Sequence, residues 1–228
     1  VLSVLRALIF DLDGVIMKFG LDSKGIKREV ITYLETRGLA QGVLSPTDPF
    51  SKIKGCAKGA FTSMGKDDSW IKLVMGEAEK ISIRREVEAA EVAEVLPGVT
   101  DVLSALKGRG LKLAIFTYNN SLAAEIALAK NGLSQYFQLV AARDSVPRPK
   151  PNPLHLAYVL EGLMVGRDEA IVVGDSEMDI RPSKELGVRV AAVATGIRSA
   201  DFLCSLEPDY LIGSLSELIA IVDSFGRA

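Results

Sequence analysis

Short apolar runs rich in β-branched residues recur along the chain, over residues 4–10, 111–117, 137–142, 170–174, 188–194 and 209–212. A continuous apolar run of this length predicts a strand buried on both faces, because each side of the pleat then meets nonpolar neighbours. Helical apolar spacing fills the intervals over 99–108, 122–130, 154–163 and 215–223, and the second of these stops at Asn131-Gly132. Strand and helix in alternation predict a parallel sheet covered on both faces. The interval from Phe19 to Leu96 breaks this pattern. It has no strand signal, and its apolar residues recur at Ile26, Val30, Tyr33 and Leu34 and again at Trp70, Val74, Ala78 and Ile81. The expected architecture is an α/β fold: a doubly wound, Rossmann-like parallel sheet from residues 1–19 and 97–228, with an all-helical cap inserted over 20–96. Gly20 and Leu96-Pro97-Gly98 are the expected boundary positions, since Gly and Pro interrupt helices and admit sharp turns.

Composition narrows the ligand more than the fold. A chain of 228 residues can hold one large core or a core with a smaller insert. With 48% hydrophobic and 25% charged residues it is globular, and a net charge of −2 offers no general attraction for nucleic acid. Cys56 and Cys204 lie far apart with no metal-site spacing, and both are expected to be reduced packing residues, as suits a cytoplasmic protein. The apolar start is interrupted by Arg6 and stopped by Asp11, and no uncharged run approaches the ~18 residues needed to cross a bilayer, so no membrane anchor is expected.

In open parallel sheets the reactive groups gather beyond the C-terminal ends of the strands. The first run ends in Asp11-Leu12-Asp13-Gly14-Val15, where carboxylates two residues apart can face the same way and Gly14 lets the chain turn. The fourth ends in Gly174-Asp175-Ser176, with Asp179 following. If these strands are neighbours, each carboxylate pair ~4 Å apart repels by ~4 kcal/mol at an effective dielectric of ~20, so a positive charge must sit between them. Mg²⁺ is the natural choice, because it prefers oxygen ligands and there is no Cys or His cluster for a softer metal. Thr117 closes the second run ahead of Tyr118-Asn119-Asn120-Ser121, where a hydroxyl and backbone amides would hold a phosphate. A loop stiffened by prolines, residues 147–153, carries Lys150, whose ammonium could neutralise phosphate and carboxylates together.

The ordered set Asp11-Leu12-Asp13-Gly14-Val15, Thr117, Lys150 with Pro151 and Pro153, and Gly174-Asp175-Ser176 with Asp179 resembles the haloacid dehalogenase superfamily of phosphohydrolases. The similarity is to its capped phosphatase branch, which includes phosphoglycolate phosphatases and β-phosphoglucomutases. It implies that Asp11 is nucleophile and Mg²⁺ ligand, and that Asp13 gives its backbone carbonyl to the metal and its side chain to proton transfer. It further implies that Thr117 and the Tyr118 amide bind phosphoryl oxygens, Lys150 bridges phosphate and nucleophile, Asp175 ligates Mg²⁺ and Asp179 supports the metal shell. Ion-pumping relatives carry Thr at the position of Asp13, and dehalogenases lack this paired Asp. Two departures from the family pattern are Tyr118 and Pro182, the latter tolerable within the first turn of a helix.

The expected activity is hydrolysis of a small phosphorylated metabolite through an aspartyl-phosphate, and the resemblance implies phosphoglycolate and sugar phosphates ahead of nucleotides as substrates. A phosphomutase on the same site is the rival reading, and a binding module that has lost turnover is the alternative from another class. His155, the single histidine, is read as structural, and Trp70 as packing within the insert. Arg148 is a solvated loop charge or a substrate contact, and the lysines at 52, 54 and 58 are a solvated helix face or a contact to an anionic substrate.

Overall fold

A computed structural model describes residues 4–18 and 20–225; Phe19, the last residue of the expected 1–19 segment, lies outside them. Six strands, β1 (Ala7–Phe10), β2 (Lys112–Phe116), β3 (Leu139–Ala141), β4 (Ala170–Gly174), β5 (Arg189–Val193) and β6 (Tyr210–Ile212), form one parallel sheet in the order β3-β2-β1-β4-β5-β6. Each strand falls within one of the six apolar runs. The chain divides into two compact units, one formed by residues up to Gly20 with those from Ala90 onward, the other by Leu21–Ala89.

The second unit is built from α1 (Ser23–Thr36), α2 (Phe50–Ser63) and most of α3 (Asp68–Glu91). Ile26, Val30 and Leu34 of α1 and Ile53, Ala57 and Phe61 of α2 recur every fourth residue and bury together with Val74 and Ala78 of α3. Trp70 packs its ring edge-on against Phe61 at 5.1 Å. The residues that follow α3 belong with the sheet: the Lys18 N–H donates to Glu94 O (2.8 Å) and the Leu96 N–H to Ile16 O (3.0 Å).

In the first unit the sheet is flanked by α4 (Val99–Gly108), α5 (Ser121–Lys130), α6 (Pro153–Leu163), α7 (Glu177–Leu186), α8 (Ala200–Ser205) and α9 (Leu218–Asp223). Alternate strand residues Ala7, Ile9, Ala114, Phe116 and Val172 pack with Leu156 and Val159 of α6 and Ile180 of α7. Their neighbours on the opposite face, Leu8, Phe10, Leu113 and Ile115, are equally buried. Burial on both faces is why these strands read as unbroken apolar runs. The strand order reverses between β1 and β4, and open parallel sheets bind ligands in the crevice at such a reversal.

Two expectations are corrected. Cys56 and Cys204 are free, as expected, but both are exposed and so do not pack a core. Pro182 lies inside α7, beyond the first turn. It removes the backbone donor that would otherwise reach the Met178 carbonyl one turn earlier. Among the described residues no helix is long and apolar enough to cross a membrane.

Phe61 is fully buried in the helical unit and touches the chain's single tryptophan, so Phe61→Ala should destabilise that unit by about 3–5 kcal/mol. Urea denaturation followed by Trp70 fluorescence checks this, with a lower midpoint expected.

Candidate active site

Strand register assembles the site. Phe10 aligns with Ile115 of β2 and Val173 of β4, and the Asp11 N–H donates to Val173 O at 2.8 Å. Asp11 is therefore level with Phe116 and Gly174, with Thr117 and Asp175 one residue further along the flanking strands. Lys150 reaches this edge from the loop before α6, and its peptide bond to Pro151 is cis. Its ammonium donates to Asp11 Oδ1 (2.8 Å) and Asp179 Oδ1 (2.5 Å) and lies 4.2 Å from the centroid of the Phe116 ring. Asp179 is held at its other oxygen by the Ser176 hydroxyl (2.8 Å).

Three carboxylates thus face one ammonium in a buried setting. Burial pushes the Asp11 carboxyl well above the usual carboxylate range; Lys150 opposes this, and the charges of Asp179 and Asp175 add to it. Burial, then the charge of Asp179, raises Asp175 to about 6 against the Ile197 N–H and Lys150. Burial alone would lower the pKa of Lys150, but Asp11 and Asp179 reverse that and hold it raised, so the lysine stays charged. Among the described residues Asp11, Asp175 and Asp179 form the one group of three potential metal ligands, an oxygen from each lying within 4.8 Å of the others. An all-oxygen donor set with excess negative charge fits a hard divalent cation such as Mg²⁺.

The Asp175 carboxylate is clamped by backbone. Its Oδ2 accepts the Ile197 N–H at 2.6 Å, and a Cβ on Gly196 would lie 1.8 Å from that oxygen, one on Gly14 2.5 Å. Thr195 Oγ1 donates to Gly14 O (2.7 Å), and Arg198 Nε donates to Glu177 Oε2 (2.8 Å), so the loop after β5 is tied to both acidic motifs. Gly174 is equally constrained, since its Cβ would lie 2.2 Å from the Cβ of Asp179.

On the other flank Thr117 is buried, and its Oγ1 accepts the Asn119 N–H at 3.1 Å. The Asn119 amide donates to Asp13 Oδ2 at 2.6 Å and so orients that carboxyl. Tyr118 lies in the same turn, where its carbonyl accepts from Arg143 Nη1 (3.2 Å). Asn120 caps α5 by accepting the Ala123 N–H, and Asp144 accepts both the N–H and the hydroxyl of Ser121 (2.9 and 2.7 Å). The turn that carries Thr117 and Tyr118 is thereby fixed from the loop after β3.

The remaining candidates are distributed as follows. Arg148 is exposed. Lys52 pairs with Asp48 (2.7 Å) and Lys54 with Glu79 (2.5 Å), while Lys58 lines a groove of about 550 Å³ between α2 and α3 with Lys72 and Thr62. His155 is fully buried in the first turn of α6. Its Nδ1 accepts the Lys150 backbone N–H at 3.2 Å, and its ring meets Phe116 edge-on at 4.8 Å. Burial and the Lys150 charge push its pKa down to about 4, with the backbone of Ala141 and Ala142 a lesser opposing influence, so the ring is neutral. Nε2 then carries the proton. Arg143, Asp144, Gly196 and His155 are site-building residues that strand-end motifs do not reveal, and Asn119, though within such a motif, acts on Asp13 through a contact distant in sequence.

The family model for haloacid dehalogenase-like hydrolases matches residues 8–193. Pyrophosphatases named PpaX are similar to this chain. The one from Halalkalibacterium halodurans is 35% identical over 132 residues, 58% of this chain and 61% of that protein. The one from Bacillus cereus strain B4264 is 26% identical over 230 residues, 98% of this chain and 99% of that protein. A phosphoglycolate phosphatase of Vibrio vulnificus is 31% identical over 132 residues, 58% of each. The solved structure of a haloacid dehalogenase-like hydrolase from Streptococcus pneumoniae shares the fold with a TM-score of 0.64 at 20% identity, over 95% of this chain and 98% of that one. With the family match running from β1 through the inserted helices to β5, and both acidic motifs inside it, the chain belongs to the haloacid dehalogenase-like hydrolases.

Proposed function

We propose that the chain is a Mg²⁺-dependent phosphatase that hydrolyses a small phosphomonoester through an aspartyl-phosphate on Asp11. The observation that carries this reading is the Lys150 ammonium bonded to both Asp11 and Asp179 within a cluster of carboxylates. An anionic nucleophile approaching an anionic phosphate needs its charge masked, and a fixed ammonium beside Asp11 supplies part of that. The carboxylates of Asp11 and Asp175 and the Asp13 carbonyl would hold Mg²⁺, which supplies further charge neutralisation and polarises the phosphoryl group. Asp179 supports the site through Lys150 and Ser176.

Each remaining residue has a proton or an oxygen to manage. A carboxylate oxygen of Asp11 forms a bond to phosphorus as the ester P–O bond breaks, and the leaving oxygen takes a proton from the Asp13 carboxyl. Asp13, now a carboxylate, takes a proton from the water that attacks the same phosphorus. That step breaks the Asp11–phosphate bond, releases orthophosphate and restores both aspartates. The Thr117 hydroxyl and the Tyr118 amide orient the phosphoryl oxygens at the mouth of α5. A second substrate, diphosphate, is favoured by the full-length similarity to proteins named pyrophosphatase; it uses the same steps with phosphate as leaving group.

Asp11→Asn should keep the fold, because the amide is nearly isosteric, but lose turnover. Steady-state kinetics with p-nitrophenyl phosphate and diphosphate test this, and retention of more than about a tenth of kcat, a barrier change below ~1.4 kcal/mol, would rule out Asp11 as nucleophile.

Activity should vanish with EDTA, return with Mg²⁺ and fall with Ca²⁺, whose looser shell does not enforce near-octahedral geometry. Gly196→Ala should raise the Mg²⁺ concentration for half-maximal activity, because the new Cβ displaces the Asp175 carboxylate. A metal titration of both proteins reads this directly; undiminished hydrolysis by metal-stripped enzyme contradicts the assignment.

A further inference from the structure

We propose that His155 is a positioning residue for Lys150, fixing the main chain from which the ammonium reaches Asp11 and Asp179. The inference rests on the reading of Lys150 as the cation that serves the nucleophile.

Lysine has a long stem with many rotamers, so two carboxylates alone do not set where its backbone sits. The anchoring is done from α6. Helical side chains lean toward the helix N-terminus, so a residue in the first turn covers the segment that precedes the helix. His155 does this: its Nδ1 accepts the Lys150 backbone N–H at 3.2 Å, while its own N–H donates to the Asn152 carbonyl at 3.1 Å. Its ring also lies edge-on to Phe116 at 4.8 Å, and the Lys150 ammonium sits 4.2 Å from the centroid of the same Phe116 ring. Phe116 is the strand residue before Thr117. One imidazole thus ties the loop bearing the lysine to the strand bearing the phosphate-binding hydroxyl.

A simple packing role does not account for the residue. Leucine would fill an apolar site without burying any polar ring atom. What leucine lacks is an acceptor for the Lys150 N–H. Direct catalysis is excluded by geometry, because His155 is 0% exposed and Nδ1 is already engaged.

The test compares wild type, Lys150→Ala, His155→Leu and His155→Asn in kcat and KM for p-nitrophenyl phosphate with Mg²⁺. Thermal melting is measured alongside. His155→Leu should lower kcat about tenfold with a smaller change in KM and a retained melting transition. In His155→Asn the side-chain carbonyl can replace Nδ1 as acceptor, and most of kcat should return. Wild-type kcat in His155→Leu, or equal losses in both variants, would overturn the proposal. A second readout does not depend on turnover: ¹⁵N spectra of the single imidazole should show a neutral ring with its proton on Nε2 at neutral pH. The Lys150 amide should exchange slowly in wild type and quickly in His155→Leu. A proton on Nδ1, or a Lys150 amide equally protected in both proteins, would overturn the assignment even if the wild type hydrolysed neither ester nor diphosphate. Absence of hydrolysis by a folded wild type, with the imidazole and amide signatures as expected, would count against the proposed function and in favour of the anchoring.

Discussion

Repulsion among buried carboxylates is the constraint around which this protein is organised. Asp11, Asp175 and Asp179 bring oxygens within 4.8 Å of one another, with Lys150 the ammonium that binds two of them. Like charges about 4 Å apart at an effective dielectric near 20 repel by about 4 kcal/mol per pair, a sizeable fraction of the stability of a typical domain. The cluster persists because rigid backbone over-determines it: two adjacent strands and the loop before α6 deliver the groups, and glycines let the chain close on them. Gly196 and Gly14 permit backbone to press against the Asp175 carboxylate, and Gly174 permits Asp179 to approach.

The sheet topology makes this possible at low cost in loop structure. Residues as distant as Asp11 and Asp175 become neighbours because β1 pairs with β4 on one side and β2 on the other. The charges stand at the strand ends where the order reverses, so no neighbouring connection crosses over them. Hydrogen bonds from outside the motifs then lock the flanks. Arg143 and Asp144 hold the turn after β2, the loop after β5 is tied to Gly14 and Glu177, and His155 meets the lysine from α6.

Much of this was legible from sequence because it is encoded locally. The six strands were readable as apolar runs since both faces of the sheet are buried, and the acidic motifs were readable because each directly follows such a run. What was not legible depends on contacts between distant segments. No spacing rule links His155 to Phe116, Asn119 to Asp13, or Gly196 to Asp175. In α2, Gly55 and Gly59 each cost about 1 kcal/mol relative to alanine and weaken the local helix preference, although Ile53, Ala57 and Phe61 keep the buried stripe. The exposed cysteines show the same limit, since residue type alone does not say which face of a helix a side chain occupies. The place of Pro182 within its helix was likewise not legible, because the first residue of α7 is Glu177 and the proline falls beyond the first turn.

The central claim is that this charge arrangement prepares Asp11 to receive a phosphoryl group. The most direct measurement is to quench the enzyme during turnover, reduce it with borohydride and map the modified residue by mass spectrometry. The account predicts conversion of Asp11, and no other aspartate, to homoserine, dependent on both substrate and Mg²⁺. Conversion at another residue, or none during sustained turnover, would contradict it.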